Sequence, residues 1–106
     1  MKNNEIVDKL IALGKIPNES EMTDDTFKAY DELICSFEEA LTFEEAEKLI
    51  DLFSEDCSDL NWGLIHLIET VPYNEIERYK ELISKCPLDE WREIFEIRFN
   101  NWLNKQ

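Results

Sequence analysis

The sequence predicts an all-α fold of about six short helices packed as antiparallel hairpins, a short HEAT-like stack. Apolar residues recur at spacings of three and four along the whole chain, strict alternation is absent, and β-branched residues are sparse, so the period is helical. With 106 residues, 43% apolar and 34% charged, the chain is large enough for one core and too small for two. The short spacers between the periodic segments favour stacked hairpins over a long four-helix bundle, and no fixed-period repeat signature is present. A single helical domain over residues 1–106 is expected.

Taken in order, the first helix is predicted over Asn3–Leu13, with Ile6, Leu10 and Leu13 inward and Gly14 as a left-handed cap. Residues 15–22 contain Pro17, Asn18 and Ser20 and no stripe, which predicts a loose connector. The second helix starts at a Thr23 and Asp24 cap and carries Phe27, Tyr30, Leu33, Ile34, Phe37 and Leu41 on one stripe. Thr42 and Glu45 form a capping box for a third helix with the stripe Phe43, Ala46, Leu49, Ile50 and Phe53. A turn that tight predicts an antiparallel hairpin of helices two and three, with their acidic faces splayed outward together.

Residues 54–59 read as a turn-rich acidic loop, and residues 60–71 as a helix apolar nearly all round, hence central. Pro72 ends it. The fifth helix, over residues 74–85, opens on an Asn74 and Glu77 box, and Pro87 separates it from a last helix capped near Asp89 and running to Leu103. Arg98 on that last helix needs an acid if it is buried, and Glu69 on the central helix is the expected mate.

Charge is the strongest functional signal. Residues 21–60 hold fourteen acids against Lys28 and Lys48, which places −12 of the chain's −14 in that stretch. Such a field repels phosphate and anionic lipid and attracts basic proteins. Nucleic acid and membrane are therefore not expected partners, and strong net charge favours a monomer. With few lysines or arginines nearby to relieve it, the acidic face suggests use as a docking surface, which complementary charge would steer. The residues expected to meet a partner are Asp31, Glu32, Glu38, Glu39, Glu44, Glu45, Glu47 and Asp51, followed by Glu55, Asp56 and Asp59 in the loop. Trp102, near the C-terminus beside Asn100, Asn101 and Asn104, is an additional candidate anchor. Trp62 and Trp91 lie on dense apolar stripes and read as core.

Other chemistries find little support in the residues. Cys35, Cys57 and Cys86 match neither a zinc pattern nor a paired disulfide framework, and read as free, mostly buried thiols in a reducing, cytoplasmic setting. No apolar segment approaches the roughly 20 residues of a membrane span. A nucleophile built on His66 with a cysteine and Glu69 lacks an activated thiol, since acidic surroundings raise a thiol's pKa. His66 reads instead as the edge of a buried helix, hydrogen-bonded to a carboxylate or a carbonyl. The stretch from Asp51 to Asp56 fails the calcium-loop pattern at its third and sixth positions. No catalytic residue, metal site or cofactor is expected.

The run from Leu60 to Glu69 (Leu-Asn-Trp-Gly-Leu-Ile-His-Leu-Ile-Glu) is followed by Pro72, Leu82, Pro87, the Glu90-Trp91 pair and Arg98-Phe99-Asn100-Asn101. Over residues 60–104 this pattern resembles small bacterial immunity proteins of polymorphic toxin systems, in the manner of the helical immunity family thirty. The resemblance implies a cytosolic antitoxin that binds and blocks a cognate toxin domain without catalysis of its own. It implies mainly architectural roles for Trp62, Gly63, His66, Glu69, Trp91, Arg98 and Asn100. The alternative is a non-catalytic helical adaptor that binds its partner through an apolar groove near the C-terminal helix.

Overall fold

The periodic segments form six helices among the described residues, 2–72 and 74–105 of a computed structural model. These are α1 Asn3–Leu13, α2 Asp24–Ile34, α3 Phe43–Leu49, α4 Ser58–Ile68, α5 Ile76–Ser84 and α6 Asp89–Asn104, with short 3-10 turns at Glu19–Glu21 and Ile50–Leu52. No strand occurs among these residues. Consecutive helices pair as α1 with α2, α3 with α4, and α5 with α6, and α3 packs on both α1 and α5 while α2 packs on α4. The result is a stack of three hairpins in two layers. Principal extents of 41 × 30 × 19 Å agree, because two helices of about 10 Å diameter fill the short dimension.

The core runs through the middle of the stack. Leu10, Leu49, Ile50, Phe53, Leu60, Leu64, Ile65, Ile68 and Phe95 are nearly solvent-free, and each such burial contributes about 1.5–3 kcal/mol relative to exposure. Phe53 joins the hairpins by stacking on Trp91 (6.2 Å) and meeting Phe95 edge-on (5.8 Å). Gly63 lets α4 approach α2 closely, since a Cβ there would sit 3.3 Å from Ile34.

Several local expectations are met. The Thr42 and Glu45 capping box forms in both directions, and Thr23 caps α2 by accepting from the Thr26 N–H at 3.1 Å. Gly14 ends α1 at a positive φ of 85°, but its ψ of −167° lies outside the left-handed helical cap expected, in a region essentially reserved for glycine.

Helix two departs from the expected form and ends at Ile34 rather than running to residue 41. Its last turn is closed by Ser36, whose N–H and hydroxyl both bond the Leu33 carbonyl at 3.1 and 2.7 Å, so a side chain competes with continuation of the helix. Residues 35–42 form a connector that crosses from one layer to the other. Helices two and three are therefore not a hairpin, and their acidic faces belong to different layers. The central helix begins earlier and ends at Ile68, α5 starts after Glu75 without the Asn74 box, and α6 starts at Asp89 with Leu88 preceding it.

The connector at residues 15–22 is tied down rather than loose. Ile16 is buried and its N–H bonds the Leu52 carbonyl at 2.9 Å, while Tyr30 donates to the Gly14 carbonyl at 2.7 Å. The Ser54 hydroxyl donates to the Pro17 carbonyl at 2.8 Å, and the Glu19 N–H to Asp56 at 2.8 Å. Ser54 is held in turn by Asn61, fully buried in α4. The Asn61 amide donates to the Ser54 carbonyl and accepts from the Ser54 N–H, both at 2.8 Å.

Candidate interaction surface

The acidic residues separate into two groups with different surroundings. Because α3 stacks on α5, Arg78 reaches Glu44 at 3.0 Å and Glu47 at 3.9 Å as well as Glu75 at 3.4 Å, and Lys85 reaches Glu47 at 3.6 Å. The Arg78 guanidinium also lies 4.5 Å from the centre of the Phe43 ring. A hydrogen bond to its own backbone N–H, and then Arg78, hold the Glu44 carboxyl below its ordinary value. Glu45 is engaged in the capping box, Glu55 pairs with Lys15 at 3.6 Å, and Glu32 with Lys28 at 3.9 Å. Asp56 is spent on the Glu19 N–H. The acidic stretch is thus not uniformly unrelieved. Apart from Lys28, four positions from Glu32, its cations come from residues more than thirty positions away, which local spacing does not reveal.

Glu38 and Glu39 belong to the other group. Both are exposed on the 35–42 connector, and among the described residues no lysine or arginine pairs with either. The connector is fixed at both edges. Asn3 of α1 donates to the Glu39 carbonyl at 3.0 Å, and the Leu41 N–H donates to the Thr70 hydroxyl at 2.9 Å, which itself donates to the Leu67 carbonyl at 2.7 Å. The two carboxylates stand on a ridge between two open clefts. One cleft, about 680 Å³, lies toward α1, with Lys2, Asn3, Glu5 and Glu45 in its wall. The other, about 480 Å³, lies toward α4, with Ile34, Phe37, Gly63, His66 and Leu67. Asp31 is exposed at the end of α2, next to Cys35, whose thiol lies 3.8 Å from its carboxylate. Asp51 and Asp59 are exposed on other elements and form no ion pair among the described residues.

The residues expected to be architectural also divide. Arg98 and Glu69 form the anticipated pair, bidentate at 2.7 and 2.8 Å, which locks α6 to α4. Trp91 is buried, but Trp62 is 38% exposed. It meets Trp91 edge-on (5.6 Å) and lies under the Arg98 guanidinium (5.7 Å). His66 is exposed, and its ring lies near Trp62 (6.1 Å between centres), with no hydrogen bond to a carboxylate or carbonyl among the described residues. Asn100 is exposed beside a small hollow that Lys80, Ile83, Glu96 and Phe99 complete. Trp102 is half-buried and stacks on Phe99 (6.0 Å), which stacks on Tyr79 (4.7 Å), so it extends the core.

Cys57 and Cys86 are buried and Cys35 is exposed, all three as free thiols; burial raises the pKa of the first two, and partial desolvation followed by the neighbouring Asp31 carboxylate raises that of Cys35. A thiol so placed is a poor nucleophile at neutral pH. Among the described residues no three histidines, cysteines or acids are grouped to hold a metal ion, and no helix is long and apolar enough to cross a membrane. Residue reasoning missed Phe37 as a cleft residue because its spacing continues the α2 stripe. It missed Asn61 because that side chain serves a backbone seven residues earlier. No family model, curated protein or solved structure matches the chain.

Proposed function

We propose that the protein is an immunity protein, a non-catalytic antitoxin that captures a basic toxin domain on the Glu38 and Glu39 ridge and acts in the cytoplasm as a monomer. One observation carries the reading: two adjacent exposed carboxylates with no lysine or arginine paired to them among the described residues, on a backbone pinned to α1 on one side and to the end of α4 on the other. A rigid, unneutralised charge pair loses little entropy on binding and steers a basic surface toward itself. The chain's −14 adds a long-range field of the same sign. The resemblance of residues 60–104 to immunity proteins, carried by Trp62, Gly63, His66, Glu69, Trp91, Arg98 and Asn100, supports the same class of partner. Bound carboxylates would stand in for substrate phosphates or occlude the toxin's active site.

Relative to the sequence-based expectation, the surface contracts. Glu38 and Glu39 are its centre, Asp31 stands beside Cys35, which lines the α4-side cleft, and Glu44, Glu47 and Glu55 are peripheral because they already serve Arg78, Lys85 and Lys15. The test is complex formation between the purified chain and the product of the gene immediately upstream of its own. A stable complex at low salt that weakens steeply as salt rises is the expected result. An upstream gene encoding no toxin domain, or a toxin domain that forms no complex, overturns the proposal. Loss of capture in Trp102→Ala but not in Glu38→Lys/Glu39→Lys would favour the adaptor alternative instead.

A further inference from the structure

The molecule builds the same arrangement twice for its own arginines. Arg78 lies over the Phe43 ring with Glu44, Glu47 and Glu75 around its guanidinium, and Arg98 lies over the Trp62 ring with Glu69 in bidentate contact. An aromatic face with one or more carboxylates beside it suits a guanidinium, which is planar, weakly hydrated and able to stack and bond at once. A third set of the same parts surrounds the cleft between α2 and α4. Phe37 and His66 supply rings, Ile34 and Leu67 an apolar floor, and Glu38 and Glu39 the carboxylates, and here no arginine or lysine of the described chain pairs with those acids.

We infer that this cleft is a seat for an arginine side chain presented by a basic protein, its stem on Ile34 and Leu67 and its guanidinium held between the rings and Glu38 or Glu39. The inference deepens the proposed toxin capture and rests on it for the identity of the protein that brings the arginine. At about 480 Å³ the cleft has room for the side chain and its flanking backbone. Arginine is preferred to lysine because the rings reward a flat cation, whereas carboxylates alone would accept either. Buried at the centre of an interface, such a residue would be a dominant contact.

The seat is tested without any toxin by titrating the intact protein with N-acetyl-arginine methylamide and, separately, with the lysine counterpart, following backbone amide shifts by NMR. The arginine amide is expected to move Gly63, His66 and Leu67 at several-fold lower concentration than the lysine amide. Glu38→Gln/Glu39→Gln should weaken it about tenfold, as expected for loss of charge-assisted bonds. His66→Ala, at an exposed position, should remove the preference for arginine while leaving the fold intact. Equal response to both amides, shifts scattered over the acidic surface, or no shift at those three residues overturns the seat. The two proposals fail separately. Arginine binding here without capture of the upstream gene product ends the antitoxin reading alone, whereas capture that is unchanged in Glu38→Gln/Glu39→Gln/His66→Ala ends the seat alone.

Discussion

Two groups of acids a few residues apart in the chain have opposite surroundings. Glu44 and Glu47 face α5, where Arg78 and Lys85 neutralise them. Glu38 and Glu39 sit on the crossing between layers, where Lys2 lines one cleft without closing an ion pair on either. Local composition is the same in both. What decides whether a carboxylate becomes internal scaffolding or open surface is the element stacked against it, and that is set by the order of the hairpins.

The sharpest challenge to this division is at the 54–57 loop, whose acids are assigned to structure. Asn61→Ala leaves the Ser54 N–H and carbonyl buried without partners and should cost about 3 kcal/mol. For a domain of this size that lowers the thermal midpoint by roughly 10–20 °C, while the folded fraction still captures its partner. A drop of only a degree or two would show that the loop is not a staple. Next is Arg98→Ala, which strands Glu69, only 18% exposed, and should cost about 1–2 kcal/mol after allowance for solvent around the half-exposed guanidinium. Arg98→Lys should recover only part of it, because lysine cannot reproduce the bidentate fork. Chemical denaturation measures both.

The division itself is tested by paired charge reversals. Glu38→Lys/Glu39→Lys should slow association with the basic partner by about tenfold or more at low salt and flatten its salt dependence. The same substitution should change stability by no more than about 0.5 kcal/mol, as for surface sites without structural partners. Glu44→Lys/Glu47→Lys should do the reverse, lowering the thermal midpoint by turning Arg78 and Lys85 toward like charges and disturbing association less. Stopped-flow rates beside melting curves separate the outcomes, and equal effects of the two pairs would erase the distinction.

The bridged group ties stability to pH. The Glu44 carboxyl is depressed in the folded protein, so its stabilising contribution is complete above the ordinary value of 4.5 and is lost as pH falls through the lower folded value. Melting curves taken below pH 4.5 should therefore fall less steeply in Glu44→Gln than in the wild type. The smallest effect concerns the thiols. Iodoacetamide at neutral pH should label exposed Cys35 alone, slowly because its surroundings and Asp31 raise its pKa, and leave buried Cys57 and Cys86 unmodified until the protein unfolds. Mass spectrometry reads the sites directly.

The parts of this molecule that were legible in its sequence are those governed by near neighbours or by strong necessity. Helical period gave the class, the Thr42 and Glu45 box appears as expected, and the need of Arg98 for an acid pointed to Glu69 across 29 positions. What was not legible depends on competition or on distant backbone. The stripe of α2 continues in period through Phe37 and Leu41, yet Ser36 closes the helix first, and Leu41 is buried from an extended segment instead. Trp62 has the composition of a core residue on a core helix, but it is the outermost ring of an edge-to-face pair. The candidate surface was recognised as acid and missed as shape, because the clefts beside Glu38 and Glu39 exist only once α1 and α4 stand on either side.

The 35–42 segment is also the joint by which the first hairpin hangs from the second. Both clefts share its residues as a common wall, so a ligand entering either one meets a backbone already held by Asn3 and Thr70. The far end of α6 lies beyond α3 and α4 from this joint, so occupancy of either cleft leaves the third hairpin untouched.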